Sequence, residues 1–223
     1  MKQLPMMLAF MVLFLLFGSN AGSQEFYANK NLRIVLGFSP GGGMDIYARA
    51  IGRHLGKNIP GKPAVIVENM PGAGSLIAAN YLYNQAKPDG LTIGSWIGGL
   101  VLQQVIGGQK GIEFDARKFE WIGAPAGDSS SCALTKSSGV STTDQWFAAK
   151  TPVKIGAMAP GSVTSDIPKI LKAALNLPIQ VVEGYKGTAE IRVAADSGEV
   201  DGGCWGWETI KIMWRQGLDA GSA

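Results

Sequence analysis

Residues 37–41 read Gly-Phe-Ser-Pro-Gly, which matches the G-x-S-x-G pattern that presents a nucleophilic serine between a strand and a helix. Such a serine, here Ser39, needs a histidine base within hydrogen-bond reach. The only histidine, His54, lies roughly 15 residues further along the predicted helix, about 20 Å away at a helical rise of about 1.5 Å per residue. We therefore expect no hydrolase, no catalytic residue and no enzyme.

The three glycines at 41–43 do not form a nucleotide-binding loop. No G-K-[ST] sequence follows them, and residues 37–43 do not fit G-x-G-x-x-G. One histidine, two distant cysteines and scattered acidic residues give no cluster of metal ligands. We expect neither a metal nor a cofactor.

Loops rich in glycine and serine offer a different chemistry, the binding of a small anion. A backbone without side chains can curl around a carboxylate, and hydroxyl groups beside it can donate to the carboxylate oxygens. The alternative is that each glycine only makes a tight turn, but the recurrence of such loops at four equivalent places favours binding. The hydroxyl groups belong to Ser39, Ser75, Ser162, Thr164 and Thr188.

Three further side chains have two interpretations each. Asp45 stands where a helix is predicted to begin, so it is either a cap or first-turn acid, or a functional carboxylate. In the functional interpretation it orients the glycine loop or meets the ammonium group of an amino-acid ligand. Phe38 and Tyr185 either form the wall of a cleft or belong to the core.

Short apolar strands alternate with segments of helical periodicity, which favours an α/β fold with parallel sheets covered on both faces. In such sheets, anions bind at the carboxyl ends of the strands. A crossover near residues 119–128 divides the chain into lobe 1 (30–125) and lobe 2 (126–216). Strands are predicted at 32–36, 64–68, 91–97, 153–158, 179–183 and 200–205, and helices at 45–57, up to about 85, 166–175, 188–197 and 208–217.

The first 23 residues have the organisation of a secretory signal peptide. Lys2 precedes an apolar run at 6–17 and a stretch of small residues at 18–23, which predicts cleavage near Ala21 or Ser23. The alternative, a membrane anchor, needs about 20 apolar residues, and this run has only about 12. We expect export to the periplasm.

The charge and the cysteines fit an exported protein with a small partner. The 20 basic and 17 acidic residues form no runs, so nothing indicates a nucleic acid or a membrane surface as partner. Cys132 and Cys204 can form a disulfide in an oxidising compartment. The alternative is that both are small buried apolar residues on strands.

Several motifs in this order resemble the substrate-binding receptors of tripartite tricarboxylate transporters, the Bug proteins. They are the sequence RIVLGFSPGGGMD at 33–45, AR at 48–49, VENMPGAG at 67–74, PDG at 88–90, GS at 161–162, YKG at 185–187 and GEVD at 198–201. The resemblance implies a periplasmic-binding-protein-like fold with two α/β lobes that close on a small carboxylate: a di- or tricarboxylate, an acidic amino acid or an aromatic acid. It also implies delivery to integral-membrane permease subunits. The alternative is a sensor of the same fold that feeds a signalling kinase.

Carried onto the matching positions, the resemblance implies a set of ligand-binding residues. They are Phe38, Ser39, Gly42, Gly43, Asp45, Gly72, Ala73, Gly74, Ser75, Ser162 and Tyr185. Members of the family continue with strands that return to complete lobe 1. We therefore expect that the C-terminal part is missing here, and that an uncovered sheet edge makes the chain marginally stable.

Overall fold

The computed structural model describes residues 25–107, 110–124, 127 and 129–221. The predicted signal peptide, residues 1–23, lies outside this part of the chain. Within the described ranges, no helix has both the length and the apolar character needed to cross a membrane.

Lobe 1 is built on a parallel sheet with strand order β2-β1-β3. Its central strand reads Asn-Leu-Arg-Ile-Val-Leu, and the four aliphatic side chains are buried, as expected for a strand covered on both faces. The strands are β1 (Asn31–Leu36), β2 (Ala64–Asn69) and β3 (Thr92–Ser95), and the helices are α1 (Gly43–Leu55), α2 (Leu76–Asn84) and α3 (Gly99–Ile106).

Lobe 2 is built on a four-stranded sheet with order β4-β7-β5-β6. Strand β5 is parallel to β6 and β7, whereas β4 is antiparallel to β7. The sheet is therefore mixed and not wholly parallel, because the chain enters the lobe along an antiparallel edge strand, a common feature of α/β sheets. The strands are β4 (Ser130–Leu134), β5 (Val153–Ala157), β6 (Ile179–Glu183) and β7 (Gly202–Gly206), and the helices are α4 (Thr143–Phe147), α5 (Val163–Leu175) and α6 (Thr188–Asp196).

The last helical stretch is divided into α7 (Trp207–Met213) and α8 (Arg215–Asp219), where one continuous helix was predicted. Trp214 breaks it, because its ring is buried and stacks on the ring of Trp205, with the centroids 5.3 Å apart. The indole N–H of Trp214 also donates to Asp196 at 2.9 Å. These contacts hold the backbone of Trp214 outside the helical region.

Cys132 and Cys204 form a disulfide. The two residues lie directly opposite each other in the antiparallel ladder of β4 and β7, with their Cα atoms 4.0 Å apart. The structure therefore agrees with the first interpretation of these cysteines, a disulfide, and not with two unpaired buried residues. The bond ties the strand that enters lobe 2 to the strand that leads into α7.

Candidate functional site

A cleft of about 390 Å³ lies between the two lobes. Lobe 1 lines it with Gly37, which follows β1, and with residues 72–75, which follow β2. Lobe 2 lines it with residues 158–160 after β5 and residues 183–186 at the end of β6. The cleft thus lies at the carboxyl ends of parallel strands, where ligands of α/β folds bind.

The loop of residues 72–75 has an unusual backbone. Gly72, Ala73, Gly74 and Ser75 have φ angles of 140°, 47°, 61° and 65°. Positive φ is uncommon for residues other than glycine, so the conformation at Ala73 and Ser75 is held by its surroundings. Among the described residues, the backbone N–H groups of this loop find no acceptor. The loop leads directly into α2, so these N–H groups lie at the positive end of a helix.

The hydroxyl of Ser75 holds this loop in place. Its Oγ donates to the carbonyl of Gly74 at 2.6 Å and accepts from the N–H of Ile97 at 2.8 Å. A Cβ at Gly37 would lie 2.2 Å from the Cβ of Ser75, so only glycine fits beneath it. Ser75 therefore contributes its backbone to the cleft, while its hydroxyl is used within the protein.

The first glycine loop contacts the other lobe. Ser39 is buried and donates from its Oγ to Glu190 Oε2 at 2.8 Å. The N–H of Gly43 donates to Thr188 Oγ1 at 3.0 Å. A Cβ at Gly43 would lie 2.2 Å from the side chain of Thr209, so the lobes meet closely here. Residues 39–43 therefore form a contact between the lobes and do not line the cleft.

Asp45 is only 4% exposed and does not cap α1, whose N-cap is Gly42. Its carboxylate accepts from the N–H of Gly41 at 3.0 Å, from Arg49 at 2.9 Å and from Asn69 at 2.8 Å. Burial by itself raises the pKa of Asp45, but these three hydrogen bonds outweigh it and hold the pKa below its ordinary value. The carboxylate orients the glycine loop, and both of its oxygens already have donors.

Three other predicted residues lie in different settings. Phe38 packs into the core of lobe 1. Ser162 is buried and donates to the carbonyl of Ala159 at 2.6 Å, so it shapes the turn after β5. Tyr185 lines the cleft, and its hydroxyl donates to Glu199 at 2.6 Å. Burial and the Glu199 carboxylate raise the pKa of Tyr185 to about 12, so the phenol stays neutral.

The structure therefore divides the predicted ligand-binding residues into two groups. Those at the cleft are Gly72, Ala73, Gly74, Ser75 and Tyr185. Those behind it, in the core, the loops or the contact between lobes, are Phe38, Ser39, Gly42, Gly43, Asp45 and Ser162.

Two charged residues of the cleft lining, Glu183 and Lys186, are not in the predicted ligand-binding set. Glu183 ends the apolar run Ile-Gln-Val-Val-Glu of β6 and is followed by a glycine. An acid at the carboxyl end of a parallel strand is the sequence feature that would have identified it. Among the described residues, no cluster of three or more metal-ligating side chains is present.

No family model matches the sequence. Two curated UPF0065 proteins are similar to it: one in the gbd 5' region of Cupriavidus necator, 30% identical over 178 residues, and one of Bordetella pertussis, 31% identical over 93 residues. The alignments cover 78% and 42% of this chain, and 53% and 28% of the relatives. The chain thus spans at most about half the length of these relatives.

Solved periplasmic structures share its fold. The periplasmic binding protein BugD superposes with a TM-score of 0.64 at 19% identity, over 88% of this chain and 64% of BugD. An R. palustris protein with adipate superposes with a TM-score of 0.66 at 21% identity, over 87% of this chain and 64% of that protein. MatC from Rhodopseudomonas palustris with bound malate superposes with a TM-score of 0.65 at 20% identity, over 87% of this chain and 65% of MatC. At these identities the likeness is one of fold, and it confirms the predicted periplasmic-binding-protein-like architecture.

Proposed function

Since the chain belongs to the Bug family of solute-binding proteins, which includes the UPF0065 relatives, we propose that it is a periplasmic receptor for a small carboxylate. The receptor hands its ligand to the integral-membrane permease subunits of a tripartite tricarboxylate-type transporter. The predicted signal peptide and the family support this location and this partner.

The observation that carries the proposal is the loop of residues 72–75. Its four residues line the cleft, and their N–H groups have no acceptor among the described residues and lie at the positive end of α2. A carboxylate oxygen is an acceptor that fits such a group of donors, and charge-assisted hydrogen bonds of this kind are about twice as strong as neutral ones.

The dimensions of the cleft support a small ligand. Its volume of about 390 Å³ falls near the lower end of the range for ligand sites, about 300–1,000 Å³. Two proteins of the same fold have been solved with adipate and malate, both dicarboxylates. The ligand classes that we consider are di- and tricarboxylates, acidic amino acids and aromatic acids.

Closure of the lobes provides the mechanism. The Ser39–Glu190 and Gly43–Thr188 hydrogen bonds already join the two lobes beside the cleft. A ligand held by residues 72–75 of lobe 1 and residues 183–186 of lobe 2 makes all its contacts only when the lobes are together. Binding therefore shifts the population toward the closed state, the form presented to the permease.

A thermal-shift screen of the full-length mature protein tests the proposal. The panel contains mono-, di- and tricarboxylates, acidic amino acids and aromatic acids, and a ligand at 100 times its Kd should stabilise the protein by about 2.7 kcal/mol. Gly74→Ala should abolish the shift, because the new Cβ would lie 2.7 Å from Ala159 across the cleft.

Gly139→Ala is the matched control. Gly139 has a similar φ of 71°, but a Cβ there meets nothing within 4 Å. It should therefore strain the backbone equally and leave the ligand-induced shift intact. If no carboxylate raised the melting temperature while neutral or cationic solutes did, the proposed function would be wrong.

A further inference from the structure

Glu183 is a carboxylate that the protein holds in position at the cleft. It is the last residue of β6, and its side chain is 34% exposed. Ser165 donates to its Oε1 at 2.6 Å, and Lys169 donates to the same atom at 2.7 Å. Both donors lie on α5, so the carboxylate is anchored from the side of lobe 2.

The other oxygen of this carboxylate is available. Both hydrogen bonds end on Oε1, and among the described residues Oε2 of Glu183 has no donor. Burial by itself raises the pKa of Glu183, but the hydrogen bonds from Lys169 and Ser165 outweigh it and lower the pKa below its ordinary value. At neutral pH the cleft therefore contains an ionised oxygen that can only accept.

The two sides of the cleft thus have opposite requirements. Lobe 1 presents the donors of residues 72–75, and Lys186 adds a cation without a carboxylate partner among the described residues. Glu183, whose charge is paired with Lys169 at Oε1, presents Oε2 as an acceptor. A ligand with only carboxylates would leave Glu183 Oε2 without a donor, whereas a ligand with an ammonium group beside its carboxylate satisfies both sides.

Three other carboxylates, Asp45, Glu190 and Glu199, cannot accept from the ligand in this way. Both oxygens of Asp45 have donors within the protein, and Asp45 does not line the cleft. Glu190 and Glu199, which also lie outside the cleft lining, accept from Ser39 and Tyr185.

We propose that Glu183 determines specificity by accepting from the ammonium group of the ligand, so that the receptor prefers α-amino acids over the corresponding carboxylic acids. This inference rests on the proposed carboxylate-receptor function and names the ligand class within it. The α-carboxylate lies at residues 72–75, and the ammonium group faces Glu183 Oε2.

Matched ligands test it by calorimetry on the full-length mature protein. The sets are L-aspartate, L-malate and succinate; L-glutamate and glutarate; and L-phenylalanine and 3-phenylpropionate. In the set that fits the cleft, the amino acid should bind at least tenfold more tightly than the acid that lacks the ammonium group. Malate should fall between aspartate and succinate, because a hydroxyl donates but carries no charge.

Glu183→Gln should reduce the preference for the amino acid at least tenfold, mainly through weaker binding of the amino acid. Glu113→Gln is the control, since it removes the same charge from a carboxylate that receives a hydrogen bond from Asn84 on lobe 1, outside the cleft lining. It should leave the preference unchanged.

The outcomes separate this inference from the proposed function. If the wild-type protein binds the acids without ammonium as tightly as the amino acids, or if Glu183→Gln leaves the preference intact, this inference is wrong and the carboxylate receptor stands. If no member of any set binds while another carboxylate of the thermal-shift panel does, this inference alone is wrong; if no carboxylate of the panel binds either, both are wrong. The preference of the wild-type protein is decisive even if Glu183→Gln does not fold.

Discussion

The loop of residues 37–43 and the loop of residues 72–75 both connect a strand of lobe 1 to a helix, and both are rich in glycine. The backbone N–H groups of the two loops differ in their hydrogen-bond acceptors. In the first loop, Gly41 donates to Asp45 and Gly43 donates to Thr188. In the second, no described residue accepts from the four N–H groups. The glycine content of a loop therefore does not tell whether it binds a ligand, because the acceptors around it decide.

Charge at the first helical turn explains the difference. Helix α1 has Asp45 in its first turn, and this buried carboxylate offsets the positive end of the helix. Helix α2 has no acid in its first turn. The positive end of α2 is thus available to an anionic ligand, whereas the positive end of α1 already has the carboxylate of Asp45 beside it.

The largest effect is expected where the first loop meets lobe 2. Gly43→Val should destabilise the protein by about 3 kcal/mol, because the new side chain would overlap Thr209 and force the lobes apart. Gly41→Ala, whose Cβ would meet nothing within 4 Å, should cost only about 1 kcal/mol of backbone strain. Urea unfolding compares the two. Equal losses would mean that the first loop does not join the lobes.

The next largest effect is expected when the buried carboxylate of Asp45 is removed. Asp45→Asn should cost about 2 kcal/mol at pH 7, because it replaces a buried acceptor of three hydrogen bonds. The folded pKa of Asp45 is lowered, so its contribution is complete at neutral pH and is lost as the pH falls below about 4. The stabilities of the variant and of the wild-type protein should therefore converge in acid.

Asp115 provides the control for this pH dependence. Arg117 lowers the pKa of Asp115 to about 2, but the pair lies at the surface and is screened by solvent. Asp115→Asn should therefore change the acid limb of a stability-against-pH curve much less than Asp45→Asn. A change of the same size would mean that burial of Asp45 is not what matters.

The second loop can be converted to resemble the first. Ile77 lies in the first turn of α2 and is 51% exposed, so an acid is tolerated there. Ile77→Asp should weaken carboxylate binding about tenfold, which is about 1.4 kcal/mol, because it offsets the positive end of the helix. Ile77→Asn has the same shape without the charge and should bind nearly normally. Equal binding by both variants would contradict the argument from helix charge.

The smallest effect concerns a single contact between the lobes. The hydrogen bond from Ser39 to Glu190 should have a coupling energy of about 1 kcal/mol. A double-mutant cycle of Ser39→Ala and Glu190→Gln in urea unfolding measures it. A coupling energy of zero would leave Gly43 and Thr188 as the principal polar contact between the lobes.

The strands other than β4 were predicted within a few residues, because continuous apolar runs such as that of β1 leave little choice. The short helices α3 and α4 were missed, since eight and five residues give too few turns for a periodicity. Strand β4 and its antiparallel pairing were also missed. Pairing with β7 depends on contacts about 70 residues away in the chain, which local patterns do not report.

The candidate site was predicted as a set of loops but not as an arrangement. The strand ends indicate residues 72–75 and Tyr185, and the structure places these residues at the cleft. Ser39 and Gly43 belong to a loop of similar composition. Their hydrogen-bond partners Glu190 and Thr188 lie some 150 residues away in the sequence, so local patterns do not show that this loop contacts the other lobe. Glu183 was assigned to a strand without a role, because the approach of the two lobes decides which side chains face the cleft.

The disulfide between Cys132 and Cys204 gives lobe 2 a closed covalent topology. The two cysteines are 72 positions apart, and the ring between them contains β5, α5, β6 and α6, together with Glu183 and Tyr185. Mechanical tension between lobe 1 and helix α7 therefore passes directly from one cysteine to the other. The part of the cleft lining inside the ring carries no tension along the backbone, so pulling on the chain can separate the lobes before it distorts that lining.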